Sequence, residues 1–270
     1  MLTGRCEGAL PSHMTPSWIP PEVTLYGRGR GEDLRNAAEL GIAVAAARNV
    51  TEWQLVAGPM GIELHAPTAL GGLSVALNAA QGPLARRLRG ARREDPLARA
   101  VGLQRQGPPP RVLDACAGLC RDAMVLAELG CSVLALERIP ALVLLARSAA
   151  LGLRSRDRLR IECAAAEPWL AKLPADQAPA VVYLDPMFEE GGDAAVKKDL
   201  QVLRLLAGPP DDPAALFAAA RAVARERVVV KRHGRLPPLA EGVSFVVPGE
   251  RVRFDVYLNP VSAGPATPPP

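Results

Sequence analysis

Beyond residue 110 short apolar runs alternate with longer stretches of helical periodicity, each pair separated by a polar or glycine-bearing break. The short runs predict strands near 111–114, 132–137, 159–163, 180–185 and 227–231. The periodic stretches predict helices near 121–129, 139–151, 195–206 and 213–225. A run such as Val181-Val182-Tyr183-Leu184 has no polar position on either side and needs cover on both faces, which implies a mostly parallel sheet between two helical layers. Two further runs, 243–247 and 254–258, flank Pro248-Gly249 and predict a hairpin that closes the sheet with an antiparallel strand.

The segment from Val23 to about Arg105 reads differently. A short helix over 32–40 precedes apolar runs at 53–56, 62–64 and 73–77, separated by Gly-Pro or Gly-Gly, so a small meander is expected. Gly107-Pro108-Pro109-Pro110 marks a boundary. The chain therefore divides into 1–21, expected to be disordered; 22–106, an N-terminal α+β lobe; 107–260, an α/β domain; and 261–270, a disordered tail.

Composition narrows the function classes. With 270 residues and 49% hydrophobic content the chain can bury a full core. Lys and Arg outnumber Asp and Glu by 32 to 28, with a pI near 9.0, which suits a nucleic-acid partner without the strong excess of a dedicated binding module. No run approaches a membrane span, and the proline-rich N-terminus has no signal-peptide core, so a cytoplasmic protein with no membrane partner is expected. The five cysteines and three histidines have no metal-ligating spacing, so no metal is expected.

The chemistry concentrates at strand ends. Val181–Leu184 runs into Asp185-Pro186-Met187-Phe188, an acid, a proline and an aromatic ring at the mouth of a sheet crevice, a layout suited to methylating an exocyclic amine. Upstream, Asp114-Ala115-Cys116-Ala117-Gly118-Leu119-Cys120-Arg121-Asp122 joins a strand to a helix through small residues. Glu137 ends the next strand, 23 residues beyond Asp114, where an acid suits ribose hydroxyls. The loop lacks G-x-G-x-x-G and has nothing to cradle a pyrophosphate. An adenosine without a diphosphate fits better than a nicotinamide dinucleotide, and S-adenosyl-L-methionine (SAM) is the cofactor expected. Two basic segments bear on RNA: Gly27-Arg28-Gly29-Arg30-Gly31 reads as a flexible turn before a helix, and Arg86–Arg93 reads equally as a solvated helix face or a phosphate contact.

These blocks, together with Leu129-Gly130-Cys131, Leu136-Glu137-Arg138, Val196-Lys197-Lys198, Val228-Val229-Val230-Lys231-Arg232 and Arg253-Phe254-Asp255-Val256-Tyr257, resemble the RsmJ family. These are bacterial SAM-dependent methyltransferases that modify a guanine N2 in small-subunit (16S) ribosomal RNA. The similarity runs from about Leu55 to Leu258. It implies a Rossmann-like class I methyltransferase sheet over 107–260 and a partner in small-subunit rRNA or the assembling small subunit. It implies cofactor binding by Asp114, Gly118, Arg121, Asp122, Glu137, Arg138, Ala165, Ala166 and Asp185. It implies catalysis through Asp185 and the carbonyl of Pro186, with the base stacked on Phe188, and RNA contacts from Lys197, Lys198, Lys231 and Arg232. The chain departs from the family at Ala165-Ala166, where serines are usual, at Cys120 in place of a glycine, and at Glu189-Glu190-Gly191-Gly192-Asp193 in place of a basic loop. Those departures keep open two alternatives: a methyltransferase-fold RNA-binding protein no longer catalytic, and a methyltransferase acting on another nucleic-acid amine.

Overall fold

Alternate residues of the central strands feed two different hydrophobic clusters, and this parity organises the molecule. Val112, Val181, Tyr183 and Val229 face one cluster, whereas Leu113, Val182, Leu184, Val228 and Val230 face the other. The computed structural model describes residues 21–103, 107–186, 198–208 and 212–259. The expected segments 1–21 and 261–270 therefore fall almost wholly outside the described residues, as do Phe188, Lys197 and the acidic run 189–193.

The N-terminal lobe contains β1 (Val23–Gly27), α1 (Gly31–Glu39), β2 (Val44–Ala45), β3 (Trp53–Gly58), β4 (Gly61–His65), β5 (Ser74–Ala76), α2 (Gly82–Gly90) and α3 (Pro96–Ala100). Its five strands are ordered β2-β1-β3-β4-β5. The predicted meander is present as β3–β5, but β1 lies parallel to both β2 and β3 and enlarges the sheet beyond it. Both added strands are short and mostly half-exposed, so they carry little periodic signal. The Gly27–Gly31 run is better fixed than a flexible turn. Gly27 has φ +99°, a Cβ there would meet the Ala57 carbonyl oxygen at 2.5 Å, and Arg30 caps its own helix through Asp33.

The second sheet is built from β6 (Arg111–Asp114), β7 (Ser132–Glu137), β8 (Leu159–Cys163), β9 (Val181–Leu184), β10 (Arg227–His233), β11 (Phe245–Pro248) and β12 (Val252–Leu258). Helices α4 (Arg121–Glu128), α5 (Pro140–Ala150), α6 (Ala166–Leu170), α7 (Lys198–Ala207) and α8 (Pro213–Val223) connect and cover it. The order is β11-β12-β10-β9-β6-β7-β8. Strands β6 to β10 are mutually parallel, and β12 pairs antiparallel with β10 and β11, as the terminal hairpin predicts. The chain winds outward from β6 to β8, then returns to place β9 on the other side of β6. A crevice opens outside the strand ends at that reversal.

Helix α5 ties the two sheets together. Pro140 starts it with a fixed φ, and eight of its eleven residues, Ala141 to Ala146 with Ser148 and Ala149, are buried. A helix apolar on nearly every side must be covered on every side. It is packed between β4 and α1 of the lobe and β7 and β8 of the larger sheet. Arg30 reinforces the junction by donating to the carbonyl and hydroxyl oxygens of Ser148, at 2.8 and 2.6 Å. One hydrophobic cluster consequently runs from Leu25 and Leu64 through Leu144 to Val256, across the Gly107–Pro110 boundary. Among the described residues no helix is long and apolar enough to cross a membrane.

Truncation of α5 tests this shared core. Leu144→Ala is expected to lower stability by about 2–5 kcal/mol. Fluorescence and circular dichroism should trace one superimposed denaturation curve, because neither sheet keeps its cover without the helix. Two separate transitions would show that the lobe stands alone.

Candidate active site

The crevice at the strand reversal holds a cavity of about 450 Å³, within the range of small-molecule sites. Its walls come from the C-terminal ends of successive strands: Asp114 ending β6, Glu137 ending β7, Ala164 to Ala166 after β8, Asp185 and Pro186 after β9, and Lys231 on β10. The sequence reading separated these residues by up to 117 positions, and the parallel topology brings them to one edge.

At the floor, Lys231 stands between two carboxylates. Its Nζ lies 2.9 Å from Asp122 Oδ2 and 2.7 Å from Asp185 Oδ2. Asp122, buried in the first turn of α4, also accepts from the Tyr183 hydroxyl at 2.6 Å and pairs with the Arg87 guanidinium. Burial pushes the Asp122 carboxyl up, but Lys231 and Arg87 outweigh it and hold the group below the ordinary carboxylate range. The same pairing raises Lys231 against the desolvation that would lower it. Asp185 differs: desolvation and the Asp122 charge raise it, with Lys231 pulling the other way. Asp114, 2% exposed, is pushed well up by burial and by Asp122 and Asp185.

The expected cofactor side is arranged around Glu137. Its Oε2 accepts from the Gly118 backbone at 2.9 Å and its Oε1 from Ile139 at 2.8 Å, which fixes the carboxylate and leaves further lone pairs toward the cavity. Gly118 has φ +53°, and a Cβ placed there would meet nothing within 4 Å, so the backbone borders open space. Leu136, Leu142, Ala164, Ala165, Ala166 and Leu203 supply apolar wall. Arg138 lines the same wall while donating to the Ala207 carbonyl at the end of α7, a favourable place for a cation. Carboxylates at the strand ends beside an apolar flank suit SAM as the cofactor. Among the described residues no group of His, Cys, Asp or Glu side chains is placed to ligate a metal.

The remaining expected site residues take different environments. Lys231 and Arg232, expected to contact RNA, both line the cavity but have different protein partners. Lys231 turns to the two aspartates, whereas Arg232, 6% exposed, donates to the Pro237 carbonyl through Nε and Nη2. Asp122, expected at the cofactor, lines the cavity, and its carboxylate accepts from three protein donors there. Cys120, which stands in place of the family's glycine, does not line the cavity. Its side chain is fully buried and outside the lining, although its φ of +54° is one that glycine would adopt more cheaply. Arg121 lies at the cavity where expected, and Lys198 opens α7.

Two contributors escaped the sequence. Tyr183 stands two residues before Asp185, and that spacing marks a shared face. Arg87 lay within a basic cluster with two readings. On α2, Leu84, Ala85 and Leu88 turn inward, Arg86, Arg87 and Arg89 are exposed, and the Arg87 guanidinium reaches the crevice from the helix flank.

Comparison with known proteins agrees with this geometry. Residues 37–259 match the family model described as "Putative SAM-dependent methyltransferase". The chain is 40% identical over 249 residues to the ribosomal RNA small subunit methyltransferase J of Thioalkalivibrio sulfidiphilus, covering 86% of this chain and 96% of that one. It is 40% identical over 245 residues to the same-named protein of Chromohalobacter salexigens, covering 85% and 94%. The crystal structure of a SAM-dependent methyltransferase from Neisseria gonorrhoeae superposes with a TM-score of 0.67 at 25% identity, over 90% of this chain and 97% of that one.

Two substitutions probe the site's construction. Asp122→Ala leaves Lys231 and the Tyr183 hydroxyl without their shared acceptor and is expected to cost about 3–5 kcal/mol in urea denaturation. A loss below about 1 kcal/mol would mean that the network contributes little to the fold. Ala165 is the N-cap of α6 and has no side-chain acceptor, so Ala165→Ser should gain up to about 1 kcal/mol in the same assay.

Proposed function

Because the chain belongs to the ribosomal RNA small subunit methyltransferase J family of SAM-dependent methyltransferases, we propose that it methylates the exocyclic N2 amine of one guanine in small-subunit rRNA. The substrate is either the free RNA or the assembling small subunit, which places the enzyme in the cytoplasm. The observation that supports this reading most is the state of Asp185. Lys231 holds its Oδ2, and among the described residues its Oδ1 takes no hydrogen bond.

When bound, SAM supplies a methyl group already activated by a sulfonium, so the protein has to position an amine rather than generate a strong nucleophile. An amine conjugated to a guanine ring is a weak nucleophile because its lone pair is delocalised. Asp185 Oδ1 and the Pro186 carbonyl accept its two N–H groups and favour the pyramidal nitrogen that attack requires. The Asp185 backbone N–H is pinned by Cys116 Sγ, which fixes the turn presenting both acceptors. Asp185 then takes the proton that the methylated amine releases. Glu137 holds the ribose hydroxyls, and the carboxylates of the floor favour a cationic sulfonium. Phe188, three residues past Asp185, stacks on the base drawn out of its helix. Lys197 and Lys198 follow it in sequence and serve the RNA phosphates.

Three measurements check this mechanism. Glu137→Ala should weaken SAM in calorimetry by about 1.5–3 kcal/mol, and unchanged affinity would remove the ribose assignment. Asp185→Ala should nearly abolish methyl transfer to small-subunit rRNA from cells lacking the gene. Because the Asp185 carboxyl is raised above its ordinary value of 3.8, its anion is lost earlier as pH falls. The acid limb of the single-turnover rate should therefore lie above the ordinary aspartate range. A limb at or below that range would assign the proton acceptor elsewhere.

A further inference from the structure

Arg87 belongs to α2 of the N-terminal lobe, yet its guanidinium lines the cavity and pairs with Asp122. Asp122 and Lys231 link it to Asp185 through successive ion pairs. Among the described residues, the groups facing Asp185 are Lys231 from β10, Asp122 from α4, Arg87 from α2, Asp114 from β6, Cys116 from the loop after β6, and Tyr183 from its own strand. Among the described residues, the acids Asp114, Asp122 and Asp185 are balanced here by Lys231 and Arg87, and Asp185 responds to removal of either cation. Lys231 has two anionic claimants, and Arg87 satisfies one of them.

We propose that Arg87 is a positioning residue for methyl transfer: by pairing with Asp122 it offsets that acid's claim on the shared Lys231 ammonium, which then holds Asp185 anionic and aimed at the substrate amine. The lobe thereby completes the catalytic charge arrangement as well as covering α5. The proposal rests on the methyl-transfer reading and adds to it a requirement that the larger domain cannot meet by itself. Without Arg87, Lys231 is drawn toward Asp122, the floor becomes more negative, and Asp185 is protonated at higher pH. A side chain that merely covered the surface would leave that titration unchanged.

The test compares wild type, Arg87→Ala and Arg87→Lys in the full chain. Single-turnover methylation of small-subunit rRNA is measured against pH, with SAM affinity by calorimetry and RNA affinity against salt. For Arg87→Ala the expected result is SAM affinity within about threefold of wild type, an unchanged salt slope, and an acid limb moved up by about one pH unit. Arg87→Lys should restore the limb. An unmoved limb with weaker RNA binding and a shallower salt slope would make Arg87 a phosphate contact and overturn the proposal. An unmoved limb with full activity would reduce it to a surface ion pair. The Asp185 carboxyl is also titrated by carbon-13 NMR without RNA, assigned through Asp185→Asn. If wild type transfers no methyl to the RNA, the functional reading fails, while this titration still decides the role of Arg87: an upward shift in Arg87→Ala sustains it and no shift refutes it.

Discussion

The ammonium of Lys231, shared between Asp122 and Asp185, is the interaction on which the crevice depends. Parallel strands ending side by side deliver acidic residues to one edge, and acids so close repel unless a cation stands among them. Lys231 comes from β10, Asp185 from the end of β9 and Asp122 from the first turn of α4, so the contact also binds three elements distant in sequence. Its weight falls unequally on the two acids. Asp122 is 8% exposed on its side chain and is held strongly ionised, whereas Asp185 is 40% exposed and remains the more readily protonated. One acid serves the fold and the other faces the cavity.

The loop after β6 shows how local backbone geometry supports that division. Ala115 donates to the Tyr183 carbonyl and Ala117 to the Leu136 carbonyl, so the loop continues both neighbouring ladders before it turns. Gly118 and Cys120 then adopt positive φ and deliver the chain into α4 with Asp122 in the first turn, where the helix dipole favours a carboxylate. Small side chains in this stretch keep the backbone near the cavity, and the bulk of Cys120 is taken up by the core.

The larger sheet was legible in the sequence because its central strands β6, β7 and β9 are apolar runs that lead into single acids. Asp114, Glu137 and Asp185 each mark a strand terminus, and β6 to β10 with the terminal hairpin lie where those patterns end. The lobe was less legible. Strand β2 has two residues and β1 five with one buried, too few for alternation to be distinctive, and α2 is dominated by arginines that also suit a solvated loop. The direction of a long cationic side chain is a tertiary property. Arg87, Lys231 and Arg232 look alike in a basic run, and only packing separates an aspartate partner from a backbone carbonyl.

The core that crosses from Leu25 to Val256 has a consequence for how the polypeptide is made. On the ribosome the lobe emerges first, but its inner surface is covered by α5, which follows the boundary by some thirty residues. The sheet beneath α5 in turn has β10 paired with β12, the last strand of the described chain. Each layer thus waits for a later one, and most contacts join segments far apart in sequence, a topology that slows folding. The nascent protein carries an unfinished apolar face through most of its synthesis, and chaperones that shield such faces have a long interval in which to act.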